Sequence, residues 1–186
     1  SASVLPEFTY SSRRTTPLAD GKPSLTVTFT DPSGNESVAS PALPLTIDAA
    51  APATPAAPTL DPASDTGAVG DDITSDTTPT LIGTDGTAGD TVKLYADGAE
   101  VGTAAVLPDG SYSVTPTTPL AEGTPNFTVT FTDPSGNESV PSPALPVTID
   151  ATAPTIPAAP VLDPASDTGT VGDGITSDTT PTLTGT

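Results

Sequence analysis

Apolar and polar residues alternate along several short stretches of this chain, which is the pattern of β-strands with one buried face. The clearest stretch is Asn126–Thr132, NFTVTFT, where phenylalanine and valine point to one side and threonine to the other. Residues 91–95 (TVKLY) alternate in the same way, and the Asp97-Gly98 pair after them is a strong hairpin signal. The pattern therefore predicts an antiparallel sheet built around these segments.

The rest of the pattern predicts further short strands separated by turns, and no segment shows helical periodicity or helix caps. Strands are predicted near 59–60 and at 80–82, 91–95, 99–106, 111–115, 126–132 and 140–150, with an acidic loop at 61–76 and turns at 85–89, 108–110 and 133–137. The last strand contains three prolines, so it should lie at a sheet edge. About seven short strands per 100 residues predict an all-β fold, an immunoglobulin-like β-sandwich.

The inward-facing positions of these strands predict the core of the sandwich. They are Leu81, Val92, Leu94, Val101, Tyr112, Val114, Phe127, Val129, Phe131 and Ile149. The core lacks the Cys…Trp…Cys set of antibody domains, because the chain contains neither residue. Its stability must therefore come from packing and not from a disulfide.

Much of the sequence occurs twice, because residues 57–84 return almost unchanged as 159–186. Alignment of residues 1–84 with 103–186, a shift of 102, gives 63 identities, so the chain is a tandem array. We divide it into 1–50, the second half of one repeat; 51–152, a complete repeat opened by a Pro-rich linker at 51–58; and 153–186, the first part of the next. Closely spaced prolines predict a semi-rigid linker, and the whole array should be an extended rod. The first copy departs most at residues 7–14, which predicts a remodelled hairpin or a variant segment there.

Composition and charge exclude several classes of function. Cysteine and histidine are absent, which removes thiol nucleophiles, the commonest general base and the usual zinc ligands. Carboxylate pairs are available for acid–base chemistry, but every candidate lies in a turn that recurs with the repeat, so we expect no enzyme activity. A net charge of −19 should repel nucleic acid and anionic membranes, and no apolar run is long enough to insert into a membrane.

The acidic loop is the best candidate metal site, because hard oxygen ligands on a glycine-containing loop suit calcium. Its acids are Asp61, Asp65, Asp71 and Asp76, and the next copy keeps them as Asp163, Asp167, Asp173 and Asp178. Asp72 is replaced by Gly174 in that copy, which makes it the weakest candidate. The alternative is that these acids only form turns, as Asp commonly does.

Immunoglobulin-like topology predicts where these acids lie. The loop at 61–76 should be at the pole where the last strand leaves, beside Asp150. The turn at 133–137, with Asp133 and Asn137, should be at the opposite pole and face Asp48 of the preceding repeat. Carboxylates that converge there would repel unless a divalent ion lay between them. For Asp133 and Asn137, turn formation alone is an equally good interpretation.

The recurring segments TPAAPTLDPASDTG, GDDITSDTTPTL, TVKLYADG, FTVTFTDPSGNES and VTIDATAP resemble the bacterial immunoglobulin-like repeats of giant surface adhesins. Those adhesins are calcium-dependent, type I-secreted (RTX) proteins of biofilm-forming and ice- or host-binding bacteria. The resemblance implies an extracellular, cell-surface extender that is stiffened by several calcium ions at or near the junctions between neighbouring repeats. By motif, it implies calcium ligands at Asp65, Asp71, Asp76 and Asp150, with repeat-mates Asp48, Asp167, Asp173 and Asp178.

Two other functions remain open on the sequence. The repeat could bind a carbohydrate or another cell directly, which an outward-facing aromatic cluster would support. Alternatively, the incomplete ends could pair head to tail with other copies of the chain, as in a filament subunit. An extender needs neither feature, only length and stiffness.

Overall fold

The structure is a computed structural model that describes residues 3–4, 10–11 and 13–185, in two compact units, Ser1–Asp150 and Ala151–Thr186. Within the described residues there is no helix of the length and hydropathy needed to cross a membrane. In chain order the strands are β1 Ser3–Val4, β2 Tyr10–Ser11, β3 Ser24–Leu25, β4 Leu43–Pro44, β5 Thr59–Leu60, β6 Ile73–Thr74, β7 Leu81–Gly83, β8 Thr91–Ala96, β9 Ala99–Ala105, β10 Tyr112–Val114, β11 Asn126–Thr132, β12 Leu145–Pro146, β13 Thr148–Ile149, β14 Val161–Leu162 and β15 Leu183–Thr184.

The complete repeat contains two main antiparallel sheets. One has the order β10-β7-β5 and the other the order β12-β11-β8-β9. The pairing of β11 with β8 runs over six residue pairs without a register shift and places Val129 opposite Leu94. Period-2 alternation thus gives each sheet one apolar face, and the two faces pack together. The predicted all-β, immunoglobulin-like sandwich is confirmed.

The core lies between these sheets. Nine of the ten predicted core residues are buried, and the exception is Val101, which is only partly buried. Val101 is on β9, at the edge of its sheet, so one side of it stays open to solvent. Leu60, Ala96, Val106 and Val147 complete the core.

Two local predictions were wrong. The last strand was predicted as one segment over 140–150, but it forms two short strands, β12 and β13, because the prolines there cannot donate backbone hydrogen bonds. The acidic loop was predicted to contain no strand, but it contains β6, which pairs in parallel with β13. Pairing of β6 depends on a partner more than 70 residues away along the chain, so no local sequence pattern indicates this strand.

The Pro-rich linker is docked at its C-terminal end. Pro55 and Pro58 are buried, and the backbone N–H of Ala56 donates a hydrogen bond of 2.6 Å to Oδ2 of Asp85. The second half of the linker is therefore attached to the repeat that follows it.

Residues 13–50 repeat the second half of the sandwich without its covering strands, which are not among residues 1–50. Tyr10 and Phe29 are consequently about half exposed, whereas their counterparts Tyr112 and Phe131 are buried. Both pairs keep an edge-to-face arrangement, with ring centroids 5.5 and 5.6 Å apart. Within the predicted change at residues 7–14, residues 7–9 and 12 lie outside the described residues, whereas β2 lies inside the segment and pairs with β1.

Backbone geometry explains why the position held by Asp72 in one copy of the loop is held by Gly174 in the next. Asp72 has φ of 56°, in the left-handed region, and Gly174 has φ of 71°. A side chain at such a position is strained, and glycine is not. The exchange therefore reflects backbone conformation at this point of the loop.

We expect Asp72→Gly to raise the free energy of unfolding by about 0.5 kcal/mol, since relief of the strain is partly offset by the freedom glycine gives the unfolded chain. Urea denaturation in the presence of a chelator measures the change. Asp72→Ala is the control and should destabilise, because alanine tolerates a positive φ less well than aspartate. A loss of stability in Asp72→Gly would contradict the prediction.

Candidate metal site and repeat junction

The acidic loop at 61–76 is fastened to the end of the repeat by β6. The backbone N–H of Thr148 donates to the carbonyl of Asp72, and that of Asp150 donates to the carbonyl of Thr74, both at 2.9 Å. The loop therefore lies beside Asp150, as the topology argument predicted. The role of these residues as metal ligands stays a prediction.

Three acids of the loop form turns. One carboxylate oxygen of Asp61, Asp71 and Asp76 accepts the backbone N–H two residues later, at 2.8, 3.0 and 2.8 Å. Their mates in the second unit do the same at 2.8, 2.9 and 2.9 Å, and they are Asp163, Asp173 and Asp178. For Asp178, the backbone N–H of Thr180 is the largest cause of a lowered pKa. Turn formation thus accounts for these positions whether or not they also bind an ion.

Asp65 and Asp167 differ from the other acids. Oδ2 of each accepts a backbone N–H five residues later, from Gly70 at 2.5 Å and from Gly172 at 2.6 Å. Both residues are buried, with 7% and 8% of their surface exposed, and Oδ1 of each has no hydrogen-bond partner. A buried carboxylate oxygen without a partner costs free energy. The same unsatisfied oxygen thus occurs in two independent copies of the loop.

The residues on either side of Asp65 are hydrogen-bonded to other parts of the loop through neutral oxygens. The hydroxyl of Thr74 is buried and donates to the carbonyl of Ser64 at 2.5 Å, and the hydroxyl of Thr66 lies 3.1 Å from that of Ser75. In the parts of the chain that the structure describes, no three acidic side chains come close enough together to hold a metal ion. An ion at Asp65 would therefore take most of its ligands from carbonyl and hydroxyl oxygens, which calcium accepts.

The turn at 133–137 follows the last residue of β11. The first residues of β11 pair with β12, close to where the chain leaves the repeat, so the turn lies at the opposite end of the strand. The carboxylate of Asp133 accepts hydrogen bonds from the side-chain amide of Asn137 at 2.8 Å and from the backbone N–H groups of Ser135 and Asn137 at 2.8 and 2.9 Å. These bonds, chiefly that of the Asn137 amide, lower the pKa of Asp133. Asp133 and Asn137 thus form a closed turn.

Asp48 of the preceding repeat meets this turn. The amide Nδ2 of Asn137 donates to the backbone carbonyl of Asp48 at 3.1 Å, and the hydroxyl of Ser135 lies 3.4 Å from its carboxylate. The sequence argument placed Asp48 here, and the structure agrees on its position.

Asp90 is a buried acid that sequence reasoning missed. It is 5% exposed and immediately precedes β8. Burial, and secondarily the charge of Asp133, raise its pKa. Its counterparts in the two partial copies fall outside the sequence, so the repeat comparison gave no signal for it.

A second cluster of charged groups lies on the outer face of β8 and β11. The carboxylate of Glu138 accepts hydrogen bonds from Lys93 at 2.7 Å, Thr130 at 2.7 Å and Tyr95 at 2.9 Å. These bonds, that of Lys93 first, lower the pKa of Glu138 from 4.5 to about 2. All donors belong to the same repeat, so the cluster holds the segment after the turn against the sheet.

Glu138→Gln should lower the free energy of unfolding by about 1 kcal/mol at neutral pH, a value reduced from the full pKa shift because the cluster is partly exposed. The folded pKa lies below the unfolded value, so this stabilisation is present above pH 4.5 and is lost as the pH falls towards 2. Urea denaturation of both proteins at neutral and low pH measures it. Glu36→Gln is the matched control, since Glu36 accepts from Thr28 alone among the described hydrogen bonds of its side chain. An equal loss at both pH values would contradict the assignment.

Similarity to known proteins was found with a solved structure and with a sequence profile. A solved structure titled "Biofilm associated protein - BSP domain" matches with 23% identity and a TM-score of 0.35 over 72% of this chain, which spans about 20% of the length of that structure. A search of curated proteins found no match. The sequence profile named "Bacterial Ig-like domain" matches residues 51–151, more than half of the chain. The chain therefore belongs to the bacterial Ig-like domain family.

Proposed function

We propose that this chain is part of the extender region of a large extracellular adhesin on a bacterial cell surface. Its repeats set the length and stiffness of the protein and perform no catalysis. The observation that carries the proposal is the placement of the two junctions. The preceding repeat meets the turn at 133–137, whereas the chain leaves beside the loop at 61–76, at the other end of β11. Repeats joined in this way add their lengths.

Attachment of the linker supports stiffness. Pro55 and Pro58 are buried, and Ala56 is hydrogen-bonded to Asp85, so the second half of the connection is fixed to the following repeat. Proline further restricts the remaining residues. Short, docked connections reduce the angular freedom between neighbouring repeats, which an extender requires.

The pairing of β6 with β13 supports a mechanical role. The two strands run parallel: β6 follows the first strand of the repeat along the chain, and β13 ends where the chain leaves the repeat. Tension applied to the two ends would slide these strands past each other, so their hydrogen bonds would be loaded together. Resistance to forced unfolding depends on the unfolding rate, which such an arrangement slows.

We further propose that calcium binds in the acidic loop. Asp65 and Asp167 would each supply the unpartnered oxygen Oδ1, with carbonyl and hydroxyl oxygens of the same loop as further ligands. Asp71, Asp76 and Asp150 lie in or beside this loop and are the next candidates, as Asp48 and Asp90 are at the other pole. A bound ion would neutralise part of the net charge of −19 and hold β6 against the chain exit.

Direct binding by the repeat has less support. Its best candidate for an aromatic cluster is the exposed pair Tyr10 and Phe29, and the counterparts of both are core residues of the complete repeat. Tyr10 and Phe29 are therefore exposed because the strands that cover their counterparts have no equivalent among residues 1–50. An extender remains the better account of the described surface.

Thermal unfolding and small-angle scattering of the same samples test the proposal, with millimolar calcium and then with excess chelator. Removal of calcium should lower the melting temperature, and a loss of rod-like extension with it would show that calcium also stiffens the junctions. Lower stability with unchanged extension would place the ions within repeats and leave stiffness to the linkers. Compact scattering under both conditions would contradict an extender, and size that grows with protein concentration would favour the filament alternative.

A further inference from the structure

The D-P-S-G-N turn occurs twice in this chain with the same internal geometry. In both copies the aspartate carboxylate accepts the backbone N–H groups two and four residues later, and the asparagine amide closes the turn at 2.9 Å in 31–35 and 2.8 Å in 133–137. Gly34 and Gly136 have φ of 89° and 90°. The two turns are therefore one rigid unit in two different surroundings.

Their surroundings differ in one contact. Asn137 donates a second hydrogen bond, of 3.1 Å, to the backbone carbonyl of Asp48 at the end of the preceding repeat. No described residue makes the equivalent contact with Asn35. Asn137 is accordingly half-buried, while Asn35 is exposed. The chain thus shows the same turn with and without a repeat docked on it.

The orientation of the Asn137 amide follows from its partners. A carboxylate oxygen of Asp133 and the carbonyl oxygen of Asp48 are both acceptors, so only the NH₂ group can face them. One hydrogen closes the turn and the other crosses to the preceding repeat. A cation bound between the same two oxygens would have to displace that NH₂ group, so the amide contact and a cation are alternatives at this place.

Both sides of this contact are held in place. Gly21 and Ile47 exchange two backbone hydrogen bonds of 2.8 Å, and the N–H of Ala49 donates to Asp20 at 3.1 Å, which together fix the segment around Asp48. On the other side, the N–H of Ser139 donates to the carbonyl of Phe131 at 2.9 Å, which ties the turn to a core strand. A hydrogen bond between two rigid supports can define the angle between repeats, which otherwise move relative to each other by default.

We propose that the D-P-S-G-N turn is the docking surface for the T-I-D end of the preceding repeat, and that Asn137 sets the inter-repeat angle through a direct, metal-free hydrogen bond. The partner of this surface is another copy of the repeat, and Ser135 adds a weaker contact to the Asp48 carboxylate at 3.4 Å. The inference goes beyond the extender function, because it assigns the angle at this junction to an amide and not to calcium.

Distance measurements between two spin labels on the 186-residue chain test this proposal. The chain has no cysteine, so Ala42→Cys and Glu100→Cys provide exposed labelling sites on the two sides of the junction. With chelator present throughout, the unsubstituted junction should give a narrow distance distribution. Asn137→Ala should lose this narrow distribution, because the angle is no longer fixed.

Asn35→Ala is the matched control, since it removes the same internal hydrogen bond from the same turn without a docked repeat. It should leave the distribution narrow, and circular dichroism should show both variants folded. Asn137→Asp gives a second test, because it replaces the donor with an acceptor beside two oxygens and should broaden the distribution as well. Equal effects of Asn137→Ala and Asn35→Ala, or no effect of either, would overturn the proposal. A junction that is narrow only in calcium would also overturn it, while leaving the calcium-stiffened extender intact.

Discussion

Phe131→Ala should lower the free energy of unfolding of the complete repeat by about 3–5 kcal/mol, whereas Phe29→Ala should cost about 1 kcal/mol or less. Both phenylalanines belong to the segment FTDPSGNESV, so their local sequence is the same. Phe131 is 2% exposed and lies between the two sheets, but Phe29 is 47% exposed. Truncation of Phe131 leaves a cavity in a packed core, whereas truncation of Phe29 removes a side chain that water already reaches.

Chemical denaturation of the two variants and the unsubstituted chain, followed by circular dichroism, measures both losses. A loss of 3–5 kcal/mol is a large part of the total stability of about 5–15 kcal/mol that is usual for a domain, so the midpoint of denaturation should shift to a much lower denaturant concentration. Scattering at the same concentration shows whether the chain stays monomeric. Equal losses from the two substitutions would mean that residues 1–50 acquire a covered core, for example against a second copy, and would contradict the exposure found for Phe29.

The central strands of the repeat could be predicted because their signal is local. In β8 and β11 every second residue is apolar and buried, so alternation alone gives their extent and their inward faces. Their order in the sheet follows from the hairpin at Asp97 and Gly98, which fixes β8 against β9. For these strands, the local sequence preference and the tertiary packing favour the same structure.

Elements that depend on distant partners could not be predicted. Two residues are enough for β6 only because β13 and the Thr74 side chain hold it, and neither contact has a sequence signature. The linker was expected to act as a spacer, but the Asp85 carboxylate and burial of Pro55 and Pro58 attach it to the repeat. Tertiary contacts determine both the pairing of β6 and the attachment of the linker.

The candidate site shows the same division. Sequence comparison found the acids of the loop and placed Asp150 and Asp48 at opposite poles, because repeat position and topology suffice for that. It could not separate Asp65 from Asp61, Asp71 and Asp76, since all four recur in the next copy. Only the hydrogen-bond pattern does so: the other three close turns, whereas Asp65 has a buried oxygen without a partner.

Asp65→Asn should therefore remove most of the calcium-dependent stability of the repeat while leaving the calcium-free protein as stable as before, or more so. An ion at a concentration of about 100 times its dissociation constant stabilises the folded state by about 2.7 kcal/mol, and the variant should lose most of this gain. Without calcium, the substitution removes a charge from a buried position where one oxygen has no partner, which relieves part of the cost of burying it.

Denaturation of the unsubstituted chain and the variant, each in calcium and in chelator, measures both effects: the loss of stability in calcium and the equal or higher stability without it. Asp109→Asn is the matched control, because it removes the same charge from an exposed turn outside the loop, where the carboxylate accepts hydrogen bonds from Ser111. Its response to calcium should equal that of the unsubstituted chain. An equal response from Asp65→Asn would place the ion elsewhere, and the two oxygens of Asp65 and Asp167 would then need a bound water or a proton as their partner.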